Sequence, residues 1–177
     1  TMVGSSSFAI NPPTYYDGMI FVALSSGRIQ AFNAKTLESL WVYTDEKGGQ
    51  PNCPLTVYNG YLYTGFWVGE ESDANFVCLS ITDEDPTNTV EAKIPAWTTT
   101  AKGGFYWAGA YVCDDFVLVG TDDGQSGYVT NGKINVGSKL LMLDPMDGRI
   151  MDMRDGLYAD IRSNVSYDKA TDAYYFT

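Results

Sequence analysis

Residues 139–151, KLLMLDPMDGRIM, decide how this chain is read. Four apolar residues, Leu140 to Leu143, run into Asp144-Pro145 and then Asp147-Gly148, and apolar character resumes at Ile150 and Met151. Asp before Pro favours an extended residue and a turn, and Gly after Asp offers the positive-φ position that a β-hairpin often needs. A single hairpin would say little. Recurrence of the unit sets the architecture of the whole chain.

The unit recurs. RIQAFNAKTLESLW (28–41) is a short apolar run, a polar turn and Leu40-Trp41. FVCLSITDEDPTNTVEAKIPAW (76–97) repeats it around a longer polar turn, DEDPTN (83–88), which reads as a solvated turn. Each of the three follows a denser apolar strand that starts after a turn dipeptide: Asp17-Gly18 before MIFVAL (19–24), Asn59-Gly60 before YLYTGF (61–66), and Asp114-Asp115 before FVLVGT (116–121). A fourth copy starts at SNVSYDKATDAYYFT (163–177) and stops within a strand-like run, which reads as part of something longer.

The turn dipeptides are spaced by 42 and 55 residues, and the excess in the second interval fits into loops. Periods near 40–50 with short strands indicate β-propeller blades. The expectation is an all-β fold, a partial propeller of about three and a half four-stranded antiparallel blades. They span roughly 10–43, 52–97 and 107–153, with an incomplete one from 161. First strands fall at NPPTYY (11–16), CPLTVY (53–58), WAGAYV (107–112) and SNVSYD (163–168). MIFVAL and FVLVGT are apolar on both faces, as a sheet sandwiched between neighbours requires. Trp41 and Trp97, placed at the ends of fourth strands, are expected to wedge between blades, while Gly18, Gly60 and Gly148 hold the turns. Burying most of a Trp side chain is worth about 3 kcal/mol.

Composition narrows the function. The net charge is −11 with a pI near 4.2, so no basic surface exists to release counterions from nucleic acid or an anionic membrane. No apolar run approaches the ~20 residues of a membrane-spanning helix. The absence of histidine removes imidazole acid–base catalysis, Ser-His-Asp triads and His-ligated metals from this chain. Cys53, Cys78 and Cys113 are odd in number and far apart, which argues against a disulfide framework or zinc site and leaves at most one bridge. The first residues, Thr1-Met2, carry no charged and apolar signal-peptide regions.

Residues 17–41 (DGMIFVALSSGRIQAFNAKTLESLW), with Leu37-Glu38 where a turn glycine is usual, and residues 140–151 (LLMLDPMDGRIM), with Met where Trp is usual, resemble the PQQ-like repeat superfamily of quinoprotein-alcohol-dehydrogenase-like β-propellers. The resemblance covers most of the chain. It implies the fold; it leaves function open, because the superfamily includes dehydrogenases, outer-membrane assembly scaffolds and surface proteins. Its enzymes bind pyrroloquinoline quinone beside Ca²⁺, many with a ring closed by two adjacent cysteines and a catalytic Asp. No two cysteines are adjacent here, so no catalytic or cofactor residue is carried over.

In such a fold, loops between second and third strands share a face with the links between blades. The tight Ser25-Ser26-Gly27 turn contrasts with the long equivalents 67–75 and 122–138, joined on that face by links 44–52, 98–107 and 152–160. Trp67, Phe105, Tyr106, Trp107, Tyr128 and Tyr158 lie there among carboxylates and amides. Such a mixture suits carbohydrate or peptide, because rings cover apolar faces while polar groups hold hydroxyls. Asp122, Asp123 and the acidic run Glu70-Glu71-Ser72-Asp73 offer oxygen ligands for Ca²⁺, without EF-hand spacing.

The expected function is therefore a non-catalytic, exported binding or scaffold propeller at or near a cell surface, with no cofactor. Its expected partners are the missing blades, from the same polypeptide or a second chain, and a carbohydrate or peptide. The alternative is a fragment of a PQQ-dependent dehydrogenase, with calcium, whose cofactor residues lie elsewhere.

Overall fold

A computed structural model describes residues 1–5, 11–124, 129–130, 133–134, 137–157 and 159–177. Among them the regular structure is all strand, with no helix. The first blade comprises β1 (Thr14–Tyr16), β2 (Met19–Leu24), β3 (Arg28–Asn33) and β4 (Ser39–Thr44). The second contains β5 (Thr56–Tyr58), β6 (Tyr61–Gly65), β7 (Asp73–Ser80) and, after the short β8 (Glu91–Ala92), β9 (Trp97–Lys102). The third is β10 (Tyr111–Val112), β11 (Val117–Gly120), β14 (Ser138–Leu143) and β15 (Ile150–Leu157), with the hairpin β12 (Val129–Thr130) and β13 (Lys133–Ile134) between its second and third strands. A two-stranded hairpin follows, β16 (Ser166–Asp168) and β17 (Ala173–Tyr175). Within each blade the strands pair antiparallel in chain order. This is an all-β partial propeller.

The turn chemistry explains the local geometry. Asp17-Gly18 and Asn59-Gly60 both take positive φ (44° and 78°, 46° and 80°), the two-residue form that matches the twist of flanking strands. The turns after β3 and β14 are congruent. Asn33 and Asp144 each accept backbone N–H groups two residues on, from Lys35 and Met146. Leu37 and Gly148 occupy the same positive-φ position, at 58° and 73°. A glycine is obligatory only at the second, where an added Cβ would lie 2.4 Å from the Trp97 ring.

Three differences from the sequence reading have a packing cause. Fourth strands do not end at the tryptophans: Trp41 is the third residue of β4 and Trp97 the first of β9, and the last strands run on to Thr44, Lys102 and Leu157. Residues 98–102 and 152–157 are therefore strand. The polar insertion after β7 is solvated through DEDPTN, but it then turns back so that β8 pairs in parallel with β4 and gives the first blade a fifth strand. Lys93, at its end, is buried: its ammonium lies 5.5 Å from the Trp41 ring centroid, pairs with Glu84 and Glu91, and donates to the Thr82 carbonyl. That contact covers an edge that would otherwise offer free backbone groups.

The third difference concerns the wedges. Cross-strand register aligns Phe21, Ala31 and Trp41 in the first blade and Tyr63, Cys78 and Trp97 in the second. The matching row of the third blade is Leu118, Met142 and Asp152, so the residue at the tryptophan position is Asp152, not Met151. Trp41 is fully buried, packs in one cluster with Leu55, Leu62, Val77 and Leu79 of the second blade, and donates its indole N–H to the Ile81 carbonyl at 3.2 Å. Trp97 is 6% exposed, packs with Val117, Val119, Leu141 and Leu143 of the third blade, and donates to the Pro145 carbonyl at 2.9 Å. Each ring fills the space between two sheets and spares its N–H from burial without a partner.

Candidate binding face

Backbone hydrogen bonds stitch the inter-blade links to the loops between second and third strands. Gly27 donates to Gly49, Gln50 and Trp67 exchange a pair, Phe105 donates to Phe66, Asp122 to Gly104 and Ile161 to Thr121. Links and loops therefore share one face. Phe105, placed on that face by the sequence reading, points inward instead: it is fully buried against Phe76, with ring centroids 5.3 Å apart. Its apolar ring has no polar tip to keep at the surface.

Three aromatic residues from two segments form a continuous row. Trp67 and Tyr106 lie 4.9 Å apart, and Tyr106 and Trp107 are stacked at 4.5 Å. Trp67 and Tyr106 are half-buried and Trp107 is 38% exposed. Trp107 takes φ 61°, a conformation costly for a bulky side chain, which turns its ring outward beside buried Ala108. Tyr128 and Tyr158, and the residues 125–128, 131–132 and 135–136 of the loop 122–138, lie outside the described residues.

Arg162, which sequence reading missed, closes the row. Its guanidinium sits 4.7 Å over the Tyr106 ring and 5.8 Å from Trp107, and its Nη2 lies 2.8 Å from Asp160 and 3.4 Å from Asp122. Burial and the neighbouring Asp160 carboxylate push the Asp122 carboxyl up to about 8; Arg162 opposes this without overcoming it. The Asp123 N–H donates to both Asp122 and Asp160. Glu70, Asp122 and Asp123 bring one carboxylate oxygen each within 4.8 Å of one another, so the two acidic stretches singled out in the sequence do meet. These three could hold a divalent cation; Asp122 would first have to lose its proton. Among the described residues, the indole N–H of Trp67 and the Nε–H of Arg162 in this face are buried without an acceptor.

The cysteines bear on the quinone that the sequence resemblance implies. Cys53 and Cys78 are buried free thiols in the core between the second and third blades, and burial pushes both up to about 12; Cys113 is also free. They offer neither an adjacent pair nor a thiolate at the binding face. Among the described residues, the cysteines therefore supply no adjacent-cysteine ring for such a group.

No protein-family model and no curated protein matches the sequence. Solved structures do. BamB from Moraxella catarrhalis superposes with a TM-score of 0.59 at 15% identity, over 94% of this chain and 40% of that one. A quinohemoprotein alcohol dehydrogenase from Pseudomonas putida gives 0.57 at 16% identity, over 86% of this chain and 28% of that one. The corresponding enzyme from Comamonas testosteroni gives 0.50 at 12%, over 92% and 22%. The chain thus spans 40% or less of each of these proteins. Its fold is a partial β-propeller like that of these structures. At these identities the likeness defines the fold and leaves the activity to the residues of this chain.

Proposed function

We propose that this chain is a non-catalytic binding module that works at the cell surface or outside the cell and recognises carbohydrate or peptide on the face of Trp67, Tyr106 and Trp107. The observation that carries the reading is the aromatic row together with its polar border. A sugar ring or a peptide offers an apolar face for stacking on these rings. It also offers donors for Glu70, Asp123 and Asp160. The absence of histidine and the inaccessibility of Cys53 and Cys78 favour recognition over chemistry. Further blades, from the same polypeptide or from a second chain, complete the ring and make the module a scaffold as well.

The test is tryptophan fluorescence and calorimetric titration against a panel of neutral oligosaccharides and of unstructured peptides. Saturable binding is expected, weakened about tenfold or more by Tyr106→Ala and by Trp107→Ala, because one stacked ring contributes about 1–2 kcal/mol. Leu37→Ala, in an exposed turn remote from this face, should leave affinity unchanged. Full affinity in both aromatic variants, or no saturable binding by either panel, would refute the proposal.

A further inference from the structure

The third interface differs from the first two in what it lacks and in what it holds open. Between the third blade and the β16–β17 hairpin lies a groove of about 370 Å³. Leu118, Met142 and Asp152, the row that matches Phe21-Ala31-Trp41, form one wall together with Arg154, and Asp172, Tyr174 and Phe176 stand on the other. The hairpin is pinned at its base: Tyr174 contacts Tyr111 at 5.1 Å and Phe116 at 5.9 Å between ring centroids. Thr177 accepts from the Arg162 N–H and donates to the Ser163 hydroxyl. Among the described residues, the outer edge of β17 pairs with no strand.

The established interfaces show what occupies this position elsewhere. By register, Tyr174 corresponds to Leu62 and Val117, and Phe176 to Thr64 and Val119. In the second blade those positions pair with Leu79 and Val77 of the third strand, and in the third blade with Leu143 and Leu141. All four partners are buried against the tryptophan of the preceding blade or its neighbours. The segment just beyond the third strand then accepts the indole N–H, at Ile81 and at Pro145. At the third interface the polarity is reversed, because Asp152 places an acceptor where the tryptophans place a donor.

We infer that the groove takes an extended polypeptide segment as an added antiparallel strand on β17, with apolar residues opposite Tyr174 and Phe176 and a basic residue beyond them facing Asp152. The inference rests on the reading that further blade material completes the ring, and it specifies the register and charge of the first strand of that material. Main-chain pairing supplies affinity and the two side-chain positions supply register, as in other cases of strand addition. Asp152 and Asp172 outnumber Arg154 in the groove lining, which selects against acidic segments.

The experiment uses the intact 177-residue chain and synthetic peptides. The probe carries the β14 sequence SKLLML followed by two lysines. One control places its apolar residues out of phase by one position, and a second ends in two glutamates. Chemical-shift mapping should place the basic, in-phase peptide at Ala173–Phe176 and at Leu118 and Met142, with affinity at least tenfold above either control. Asp152→Lys, an exposed substitution that should not disturb folding, is expected to reverse the preference between the lysine and glutamate peptides. Equal binding of in-phase and out-of-phase peptides, or shifts confined to other faces, would overturn the inference. So would a concentration-dependent dimer that protects the amides of β17 without peptide, since the occupant would then be a second copy. If peptides fail to bind while the chain assembles through Ile20, Val22 and Phe32 of the first blade, ring completion survives and the strand assignment fails.

Discussion

Two blade interfaces close on a buried tryptophan, and the third opens on an aspartate. Trp41 and Trp97 occupy the same register position as Asp152, in sheets whose four blade strands pair in the same chain order. Opposite Trp41 and Trp97 stands a four-stranded blade, whereas opposite Asp152 stand only β16 and β17, so the missing third strand and the residue at the wedge position differ together. A large ring with one donor seals the gap and finds a carbonyl beyond the next blade's third strand. Beside Asp152 lies a groove, and Ile150, Met151 and Met153 of the same strand are exposed.

The contrast can be broken most directly at the wedges. Trp41→Ala is expected to cost about 3–5 kcal/mol in urea unfolding, with Trp97→Ala toward the lower end, while Asp152→Ala changes stability by about 0.5 kcal/mol or less. Equal costs at the three positions would show that the register equivalence has no energetic counterpart.

The next effect concerns the turn that receives Trp97. Gly148→Ala must place a methyl group against the ring at positive φ and should cost about 2 kcal/mol or more. Gly60→Ala meets only the backbone penalty, about 1 kcal/mol, because nothing lies within 4 Å of its added carbon. Matched thermal melts of the two variants separate wedge packing from turn geometry.

A smaller effect lies at the binding face. The Asp122 carboxyl rises from 3.8 to about 8 on folding. The folded chain therefore holds this proton more tightly than the unfolded one, and the associated stability is present at acid pH and is lost as pH climbs from about 4 through 8. Asp122→Asn mimics the protonated acid, so it should gain stability relative to the parent between pH 5 and pH 9. A constant difference between the two across that range would mean that Asp122 is ionised at neutral pH. Thiol labelling is the mildest probe. Near pH 8, Cys113, which is only partly buried, should react with an aromatic disulfide reagent, while Cys53 and Cys78 should resist until the chain unfolds. Native labelling of Cys53 would show that the core between the second and third blades opens.

Most of the strand plan was legible because its signals are local. Asp17-Gly18 and Asn59-Gly60 announce two-residue turns through the φ values that only a few residue types tolerate, and the doubly apolar run FVLVGT marks a strand buried on both faces, whereas MIFVAL keeps Ile20 and Val22 half-exposed. The aromatic row was half legible. Trp67, Tyr106 and Trp107 stand out as rings in loops, but nothing along the chain separates them from Phe105, which is buried. Arg162 carried no signal, as a lone basic residue between two blades; only its reach over Tyr106 and toward Asp122 and Asp160 reveals a role.

By itself, then, the sequence determined the repeat, the turns and the all-β class, since hydrogen-bonded strands and positive-φ turns depend on residues a few positions apart. Tertiary structure decided the rest. The irregular register between Met142 and Leu143, repeated between Ala31 and Phe32, put Asp152 and not Met151 at the wedge position. The return of β8 to the first blade, and the meeting of Glu70 with Asp122 and Asp123, likewise depend on how whole sheets stack. Stacking is set by buried area and shape between segments tens of residues apart, and no local pattern encodes that sum.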